Sequence, residues 1–268
     1  MPDSIALIIQ HDEDEDEAAQ VLVDGMIDGH AYRFLLDTGA ARSSVGLDDY
    51  TASFPSTERS VSSGVSGIHA TDDLITVPSF EVGPIMQREF TLVRTVNQDF
   101  ISNLIGMDLL RALRCHFHFD ESRVSVDATD EVGANYEIRD LQLDEKFHPY
   151  VDVRFGDVTG KAVWDTGASL TIVDTNFITT QPAWFLRAGE SSGTDSTGAN
   201  LESPMFTMTG AMIGGHFFKP HRVAGVDLSS VNATIEVPMD MVLGYNTMSQ
   251  ANWVFDFPRR RWAISKVL

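Results

Sequence analysis

The segment LLDTGA, from Leu35 to Ala40, recurs almost unchanged as VWDTGA, from Val163 to Ala168. In both copies two apolar residues precede the same four residues, Asp-Thr-Gly-Ala. The two aspartates, Asp37 and Asp165, lie 128 residues apart in a chain of 268 residues. Because a repeat at nearly half the chain length is typical of an internal duplication, we expect two halves built on the same plan.

The residues around the two segments repeat in the same order. VDGMIDGHAYRFLLDTGA (residues 23–40) aligns without a gap with VDVRFGDVTGKAVWDTGA (residues 151–168). LIGMDLL (residues 104–110) corresponds to VLGYNTM (residues 242–248), and an apolar stretch containing Phe-Asp follows each of them. The repeat therefore predicts two lobes, residues 1–133 and residues 134–268, that meet in the weakly patterned stretch near residues 130–135.

Short apolar runs separated by glycine and aspartate predict that each half is mostly β-strand. QVLVDGMIDG and YRFLLD form one predicted hairpin, and YVDVRFGDVTGKAVW forms its counterpart, with Gly156, Asp157 and Gly160 near the turn. ITVPSFEVG and REFTLVRTV predict a further strand pair. Only the residues after Gly106 and Gly244 have the spacing of a short helix. This pattern predicts an all-β architecture.

Charge and composition restrict the partners. The net charge of −20 argues against nucleic acid and anionic membranes as partners and favours cationic peptides. No apolar run approaches the roughly 20 residues that cross a bilayer. A single cysteine, Cys115, excludes an internal disulfide, and the first residues lack the basic region of a secretory signal. These features predict a cytoplasmic protein.

The repeated motif places a carboxylate on a tight turn. An aspartate that ends an apolar strand and precedes Thr-Gly lies where glycine lets the chain turn and another segment approach closely. Two such turns would bring Asp37 and Asp165 together, and two adjacent carboxylates share one proton because they cannot both ionise cheaply. One carboxylate can then accept a proton from a water while the other donates a proton to the carbonyl that the water attacks.

These residues resemble those of the aspartic proteases, which carry an apolar-apolar-Asp-Thr-Gly motif and a later apolar-apolar-Gly element. Alanine after Asp-Thr-Gly in both halves is similar to the retroviral type rather than to pepsins. The resemblance implies an all-β, two-lobed fold with pseudo-two-fold symmetry and an active site between the lobes. It also implies an endopeptidase that needs no cofactor or metal and acts on peptides or proteins as a monomer. Catalysis would fall to Asp37 and Asp165, and the supporting turn residues would be Thr38, Gly39, Ala40, Thr166, Gly167 and Ala168.

The same resemblance implies flaps that close over the substrate. SGVSG (residues 63–67) and SGTDSTG (residues 192–198) follow the two aspartates at matching distances. The flap candidates are Gly64, Val65, Ser66 and Gly67 in the first half, and Gly193, Thr194 and Gly198 in the second. The flap tyrosine of pepsins is missing from the first of these stretches, as in proteases of the retroviral type. No long segment precedes the first repeat, so we do not expect maturation by removal of a prosegment.

Other motifs have simpler explanations. CHFHF (residues 115–119) offers a cysteine and two histidines, but its repeat counterpart NWVFDF offers no ligands, so strand alternation accounts for it better than a metal site. HDEDEDE (residues 11–17) lacks the glycine turn and final glutamate of a calcium loop and is expected to be an exposed loop. RRR (residues 259–261) is expected to be a solvated hairpin turn, and His216 and His221 are expected to be surface or hydrogen-bonded histidines.

Two alternatives to proteolysis remain open from the sequence. The cleft between the lobes could hold a peptide without cutting it. The acid–base pair could also act on a different carbonyl or amide substrate.

Overall fold

The structure is a computed structural model that describes residues 4–63, 69–95, 103–127, 136–194 and 200–268. The flap candidates Gly64, Val65, Ser66, Gly67 and Gly198 lie outside the described residues, as does the predicted boundary between residues 133 and 134. Those two predictions therefore stay predictions.

Strands dominate the described residues of the first half, which include one short helix. The strands are β1 (Ser4–Ala6), β2 (Ile8–His11), β3 (Ala19–Ile27), β4 (His30–Leu36), β5 (Ser44–Gly46), β6 (Ser56–Ser63), β7 (His69–Val82), β8 (Ile85–Thr95), β9 (Leu104–Ile105), β10 (Arg114–His118) and β11 (Arg123–Asp127). The helix is α1 (Met107–Leu110), and 3-10 turns occur at Thr51–Ser53 and Phe119–Glu121.

The described part of the second half repeats this plan and contains three further helices. Its strands are β12 (Arg139–Asp140), β13 (Gln142–Leu143), β14 (Pro149–Phe155), β15 (Val158–Trp164), β16 (Ile172–Asp174), β17 (Phe185–Thr194), β18 (Asn200–Met208), β19 (Ala211–Ile213), β20 (His216–Phe218), β21 (His221–Val226), β22 (Met241–Leu243), β23 (Ala251–Asp256) and β24 (Arg261–Val267). The helices are α2 (Thr175–Thr180), α3 (Ser229–Asn232) and α4 (Tyr245–Met248), and a 3-10 turn covers Pro182–Trp184. The all-β prediction is confirmed.

Each half has its own sheet, and a third sheet joins the halves. The first-half sheet has the order β2-β3-β4-β9-β5-β8-β7-β6. The second-half sheet runs β17-β18-β21-β16-β22-β15-β14-β19-β20, with β13 paired to β14. The joining sheet, which we call the shared sheet, has the order β1-β11-β10-β23-β24-β12. The chain is thus two lobes on a common base, the predicted two-lobed fold.

The same strand arrangement surrounds both Asp-Thr-Gly segments. Strand β4 pairs in parallel with β9, Leu36 lying opposite Ile105, and β15 pairs in parallel with β22, Trp164 lying opposite Leu243. Strand β5 lies beside β9 in antiparallel orientation, as β16 does beside β22. Each aspartate therefore follows a strand that is buried between neighbours, and the apolar-apolar-Gly element supplies the adjacent strand.

The core beneath the two turns is aromatic. Trp164, the residue before Asp165, is fully buried, and its ring centroid lies 4.7 Å from that of Phe117 and 4.5 Å from that of Phe255. Phe117 and Phe255 belong to β10 and β23, the two strands at which the halves meet in the shared sheet. Burying such rings contributes several kcal/mol to the free energy of folding and fixes the second Asp-Thr-Gly turn against the shared sheet.

Most local predictions are confirmed. Antiparallel pairing joins β3 to β4, β7 to β8 and β14 to β15, as the three predicted hairpins require. Arg259 and Arg260 lie in the exposed turn between β23 and β24, and Arg261, also exposed, is the first residue of β24. The prediction for Gly160 was wrong, because the turn is formed by Gly156 and Asp157 and Gly160 lies inside β15. A side chain at Gly160 would meet the Met241 methyl group at 2.7 Å, so close packing explains this glycine.

The acidic stretch between β2 and β3 is mostly exposed, as predicted, but it is not only a loop in solvent. Glu15 forms an ion pair with Arg222 of the second half at 3.0 Å, and the Arg222 backbone N–H donates to Glu17 at 2.8 Å. Both glutamates are partly buried. The first half therefore contacts the second through this acidic stretch as well as through the shared sheet.

The longest helix in the described part of the chain, α2, has six residues. No helix there has the length and apolar character to cross a membrane.

Candidate active site

The two repeated aspartates stand at the ends of β4 and β15, held by the neighbouring strands. The Asp37 backbone N–H donates to the Ile105 carbonyl at 2.9 Å, and the Asp165 N–H donates to the Leu243 carbonyl at 3.1 Å. Within each turn the glycine N–H donates to the aspartate side chain, Gly39 to Asp37 at 2.9 Å and Gly167 to Asp165 at 2.8 Å. Both carboxylates are thus fixed by backbone groups before any ligand binds.

The threonines tie the two turns to each other. The Thr38 N–H donates to Thr166 Oγ1 and the Thr166 N–H donates to Thr38 Oγ1, both at 3.1 Å. The Thr38 hydroxyl also donates to the Trp164 carbonyl at 2.7 Å. Both threonines are completely buried. The reciprocal bonds join residues 128 positions apart and set the separation of the two aspartates.

The glycines let each turn approach the aspartate of the other half. A Cβ atom on Gly39 would lie 2.5 Å from Asp165 Oδ2, and one on Gly167 would lie 2.5 Å from Asp37 Cγ. The Gly39 N–H also donates to Asp165 Oδ1 at 3.1 Å, so one N–H group serves both carboxylates. Only glycine fits at these two positions, which accounts for its place in both motifs.

The paired carboxylates hold protons more tightly than isolated ones. Burial, then the charge of Asp165 and a hydrogen bond with it, raise the pKa of Asp37 well above its usual range. Burial also raises the pKa of Asp165, and the N–H groups of Gly167 and Gly39 oppose that rise. A pair that retains one proton can donate and accept protons in the same reaction. We refer to Asp37 and Asp165 as the dyad.

The carbonyl groups of the two alanines connect each turn to the following helix. The Ala40 carbonyl accepts from the Met107 N–H at 2.8 Å, and the Ala168 carbonyl accepts from the Tyr245 N–H at 2.9 Å. Alanine supplies no hydroxyl that could hydrogen-bond to the carboxylates. The alanine at the fourth motif position therefore stabilises the turn through its backbone carbonyl and not through its side chain.

A pair of polar side chains hydrogen-bonds to the backbone near each of the two turns, at equivalent positions in the two halves. In the first half the Ser43 hydroxyl donates to Asp108 at 2.6 Å and accepts from the Gly106 N–H at 3.0 Å. In the second half the Thr171 hydroxyl donates to Asn246 at 2.9 Å and accepts from the Gly244 N–H at 3.0 Å.

Sequence reasoning missed these four side chains, Ser43, Asp108, Thr171 and Asn246. A signal was present, because the hydroxyl residue lies six positions after each aspartate and its partner lies two positions after the later glycine. Serine and aspartate in the first half correspond to threonine and asparagine in the second, so a comparison of the halves for identical residues does not find these positions.

A mostly buried histidine beside the first turn was also missed. His148 Nε2 lies 3.1 Å from the Gly39 carbonyl oxygen, and Nδ1 lies 2.6 Å from Asp144 Oδ2. The His148 side chain is 11% exposed and that of Asp144 is 1% exposed, so this ion pair is shielded from solvent. The Tyr150 hydroxyl lies 3.2 Å from Asp144 Oδ2 and donates to the Val237 carbonyl at 2.7 Å. No feature of the repeat marks this cluster.

The flap predictions are tested only in part by the described residues. Strand β6 pairs with β7 in antiparallel orientation, Ser63 lying opposite His69, and β17 pairs with β18 in the same way. Gly193 and Thr194 are the last two residues of β17, and Thr194 pairs with Asn200. The role of both candidate stretches in binding stays a prediction.

The histidines that could suggest a metal site have other partners. Cys115 and Phe117 face inward from β10, while His116 and His118 alternate with them, as predicted from strand geometry. His118 lies near Asp120 and Glu121, but Asp120 pairs with Lys266 at 2.6 Å and Glu121 pairs with Arg123 at 2.7 Å. His221 is buried and lies 2.7 Å from the Thr247 hydroxyl, which confirms a hydrogen-bonded histidine.

Comparison with known families adds one match. Residues 23–112 match the family described as "gag-polyprotein putative aspartyl protease". The matched stretch contains the first Asp-Thr-Gly turn, Gly106 and the strands between them. No curated protein matches the chain. At the level of the family, the first half is therefore similar to a protease-like hydrolase of the retroviral type.

Proposed function

We propose that the protein is an aspartic endopeptidase in which Asp37 and Asp165 activate a water molecule for attack on a peptide bond. The observation that carries this proposal is the pairing of two carboxylates across the two halves, Asp37 buried and Asp165 partly buried, with the Gly39 N–H shared between them. The raised pKa values of both groups, caused first by burial, favour a state with one proton on the pair. The family match over the first turn points to the same chemistry.

The proposed reaction needs no covalent intermediate. The ionised carboxylate accepts a proton from the water, whose oxygen forms a bond with the carbonyl carbon of the substrate. The protonated carboxyl gives its proton to the carbonyl oxygen, which produces a tetrahedral diol. The C–N bond then breaks as the nitrogen receives a proton from one carboxyl of the dyad, while a hydroxyl of the diol returns its proton to the other. One carboxylic acid and one amine leave, and the dyad again holds one proton. The fixed turns supply orientation, which is a large part of the rate enhancement in such reactions.

We also propose that the chain arose by duplication of one half. The support is the equivalence of the hydrogen bonds around Asp37 and Asp165, including the Ser43–Asp108 and Thr171–Asn246 pairs. On this view the lobes are residues 1–133 and 134–268, and one chain supplies both halves of the site, so the working form is a monomer. The β6–β7 and β17–β18 hairpins would then be the flaps.

The substrate class follows from charge. A net charge of −20 attracts cationic peptides, so we propose that peptides or proteins rich in lysine and arginine are favoured. The lone cysteine is buried, and burial raises the pKa of its thiol to about 12, so this side chain takes no part in the proposed chemistry. A cytoplasmic location remains part of the proposal because of this cysteine usage.

The decisive experiment is incubation with a peptide library that includes lysine-rich and arginine-rich members, read by mass spectrometry. We expect cleavage by the parent, and none by Asp37→Asn or Asp165→Asn, since either change removes the shared-proton pair. Thr159→Val, an exposed change on β15, is the matched control and should cleave like the parent. Binding of peptides without cleavage would instead identify a binding module. Cleavage that survives both asparagine variants would exclude the dyad mechanism.

A further inference from the structure

The two aspartates of the dyad do not have the same surroundings. His148 reaches the first turn from the second half. When the alignment of residues 23–40 with residues 151–168 is extended by three residues toward the N-terminus, Gln20, which cannot carry a charge, corresponds to His148. The backbone symmetry of the dyad is therefore broken by one ionisable side chain.

Hydrogen bonding indicates which protons His148 carries. Its Nε2 faces the Gly39 carbonyl, which can only accept, so Nε2 is a donor. Its Nδ1 faces Asp144 Oδ2, while Asp144 Oδ1 accepts the backbone N–H groups of Lys146 and His148. Burial alone would raise the pKa of Asp144, but the hydrogen bond and charge of His148 outweigh it and hold that pKa below its usual range. Both ring nitrogens therefore face acceptors, an arrangement whose hydrogen bonds the imidazolium form of His148 satisfies.

The charge of His148 affects the two carboxylates of the dyad to different extents. The charge of His148 lowers the pKa of Asp165, although burial leaves that pKa raised overall. Backbone N–H groups favour the ionised form of each aspartate, those of Gly167 and Gly39 for Asp165 and those of Gly39 and Ala40 for Asp37, so the charge of His148 is what distinguishes the two carboxylates. On the proposed function, we propose that His148 is a positioning residue: its imidazolium, held by Asp144, fixes the Gly39 carbonyl and places the shared proton on Asp37. Asp165 would then be the base that takes the proton from water.

Other charged groups around His148 do not cancel this effect. Asp144 balances the imidazolium charge but lies on the Nδ1 side, away from the Gly39 carbonyl that Nε2 contacts. Tyr150 stays neutral, because burial and then Asp144 raise its pKa, and Glu236 adds a smaller effect in the same direction. Arg111 lies 4.5 Å from the ring of the neighbouring Phe147 and adds positive charge.

The test is the pH dependence of kcat/KM for His148→Gln. Glutamine can still donate to the Gly39 carbonyl but has no charge, so both limbs of the profile should move to higher pH, by about half to one pH unit. His148→Arg restores a cation and should return the profile toward that of the parent. His116→Gln, a change of another partly buried histidine that bonds to Ser265 in the shared sheet, should leave the profile in place.

A purely structural role would lower kcat/KM at every pH without moving the limbs, and that result would overturn the proposal. A second readout separates this inference from the proposed function. The ¹³C signals of the Asp37 and Asp165 carboxyl carbons should show that Asp165 ionises first in the parent, with a smaller difference in His148→Gln. If the parent cuts no peptide, the proposed function fails while this titration still tests His148. Equal titration of both carbons in the parent would refute the inference.

Discussion

Thr38→Val should destabilise the protein far more than a surface substitution of the same kind. The Thr38 hydroxyl is completely buried, donates to the Trp164 carbonyl at 2.7 Å and accepts from the Thr166 N–H at 3.1 Å. Valine has nearly the same volume, so the packing survives while one buried carbonyl and one buried N–H lose their partners. Each such loss costs about 1–3 kcal/mol, so we expect the free energy of unfolding to fall by about 2–6 kcal/mol.

Urea unfolding followed by fluorescence measures this loss. With a slope of about 1–3 kcal/mol per molar urea, the midpoint should fall by about 1 M or more. Thr38→Ser keeps the hydroxyl and removes one methyl group, so it should cost only about 1 kcal/mol. Thr159→Val makes the same chemical change at an exposed position of β15 and should change stability by less than about 0.5 kcal/mol.

The reciprocal bond gives a second check. Thr166 Oγ1 accepts the Thr38 N–H, so Thr166→Val should also destabilise, and the double variant should depart from the sum of the two single effects. Peptide cleavage should fall in each valine variant, because the turns lose the bonds that fix the carboxylates. The reasoning would be refuted if Thr38→Val unfolded at the same urea concentration as Thr38→Ser.

Three further predictions follow from the site. Ala40→Ser with Ala168→Ser adds hydroxyl donors that can stabilise ionised carboxylates, so the pH profile of kcat/KM should move toward acid; a shift toward base would contradict this. Burial, and then the charge of Asp165, raise the pKa of Asp37 above the usual 3.8, so the folded parent loses stability as the pH rises from about 4 toward that raised pKa. Urea unfolding should therefore show that Asp37→Asn becomes more stable relative to the parent as the pH rises from about 4 to about 7. A stability difference between the two proteins that is the same at every pH would contradict this. Gly167→Ala would put a methyl group 2.5 Å from Asp37 Cγ and should lower kcat about 100-fold, and full activity would show that the turn can relax.

The sequence predicted what depends on short-range pattern. The hairpins of β3 with β4 and of β14 with β15 follow from apolar runs on either side of glycine and aspartate. The pairing of the two aspartates follows from the repeat, because equivalent elements related by a two-fold axis bring equivalent residues together. Gly160 was placed wrongly because a glycine that makes room for Met241 has the same appearance in the sequence as one that forms a turn.

What the sequence did not predict depends on contacts between residues that have no repeat partner. His148 meets the Gly39 carbonyl across 109 residues, and Arg222 meets Glu15 across 207 residues. A run of acidic residues favours an exposed loop on composition alone, and only the folded chain shows which of its members finds a cation. The asymmetry of the site therefore appears only in three dimensions.

The shared sheet has a consequence for the evolution and engineering of the chain. Its seam is the pairing of β10 with β23, in which Cys115 lies opposite Phe255 and Phe117 opposite Trp253. A half made alone would leave one of these strands as an apolar, unpaired edge, and such edges associate with another copy. Two copies of the first half, joined through β10, would bring two identical Asp-Thr-Gly turns to one base. On the proposed duplication, this seam corresponds to the contact between two separate chains, and it marks where the single chain could be divided into two complementing fragments.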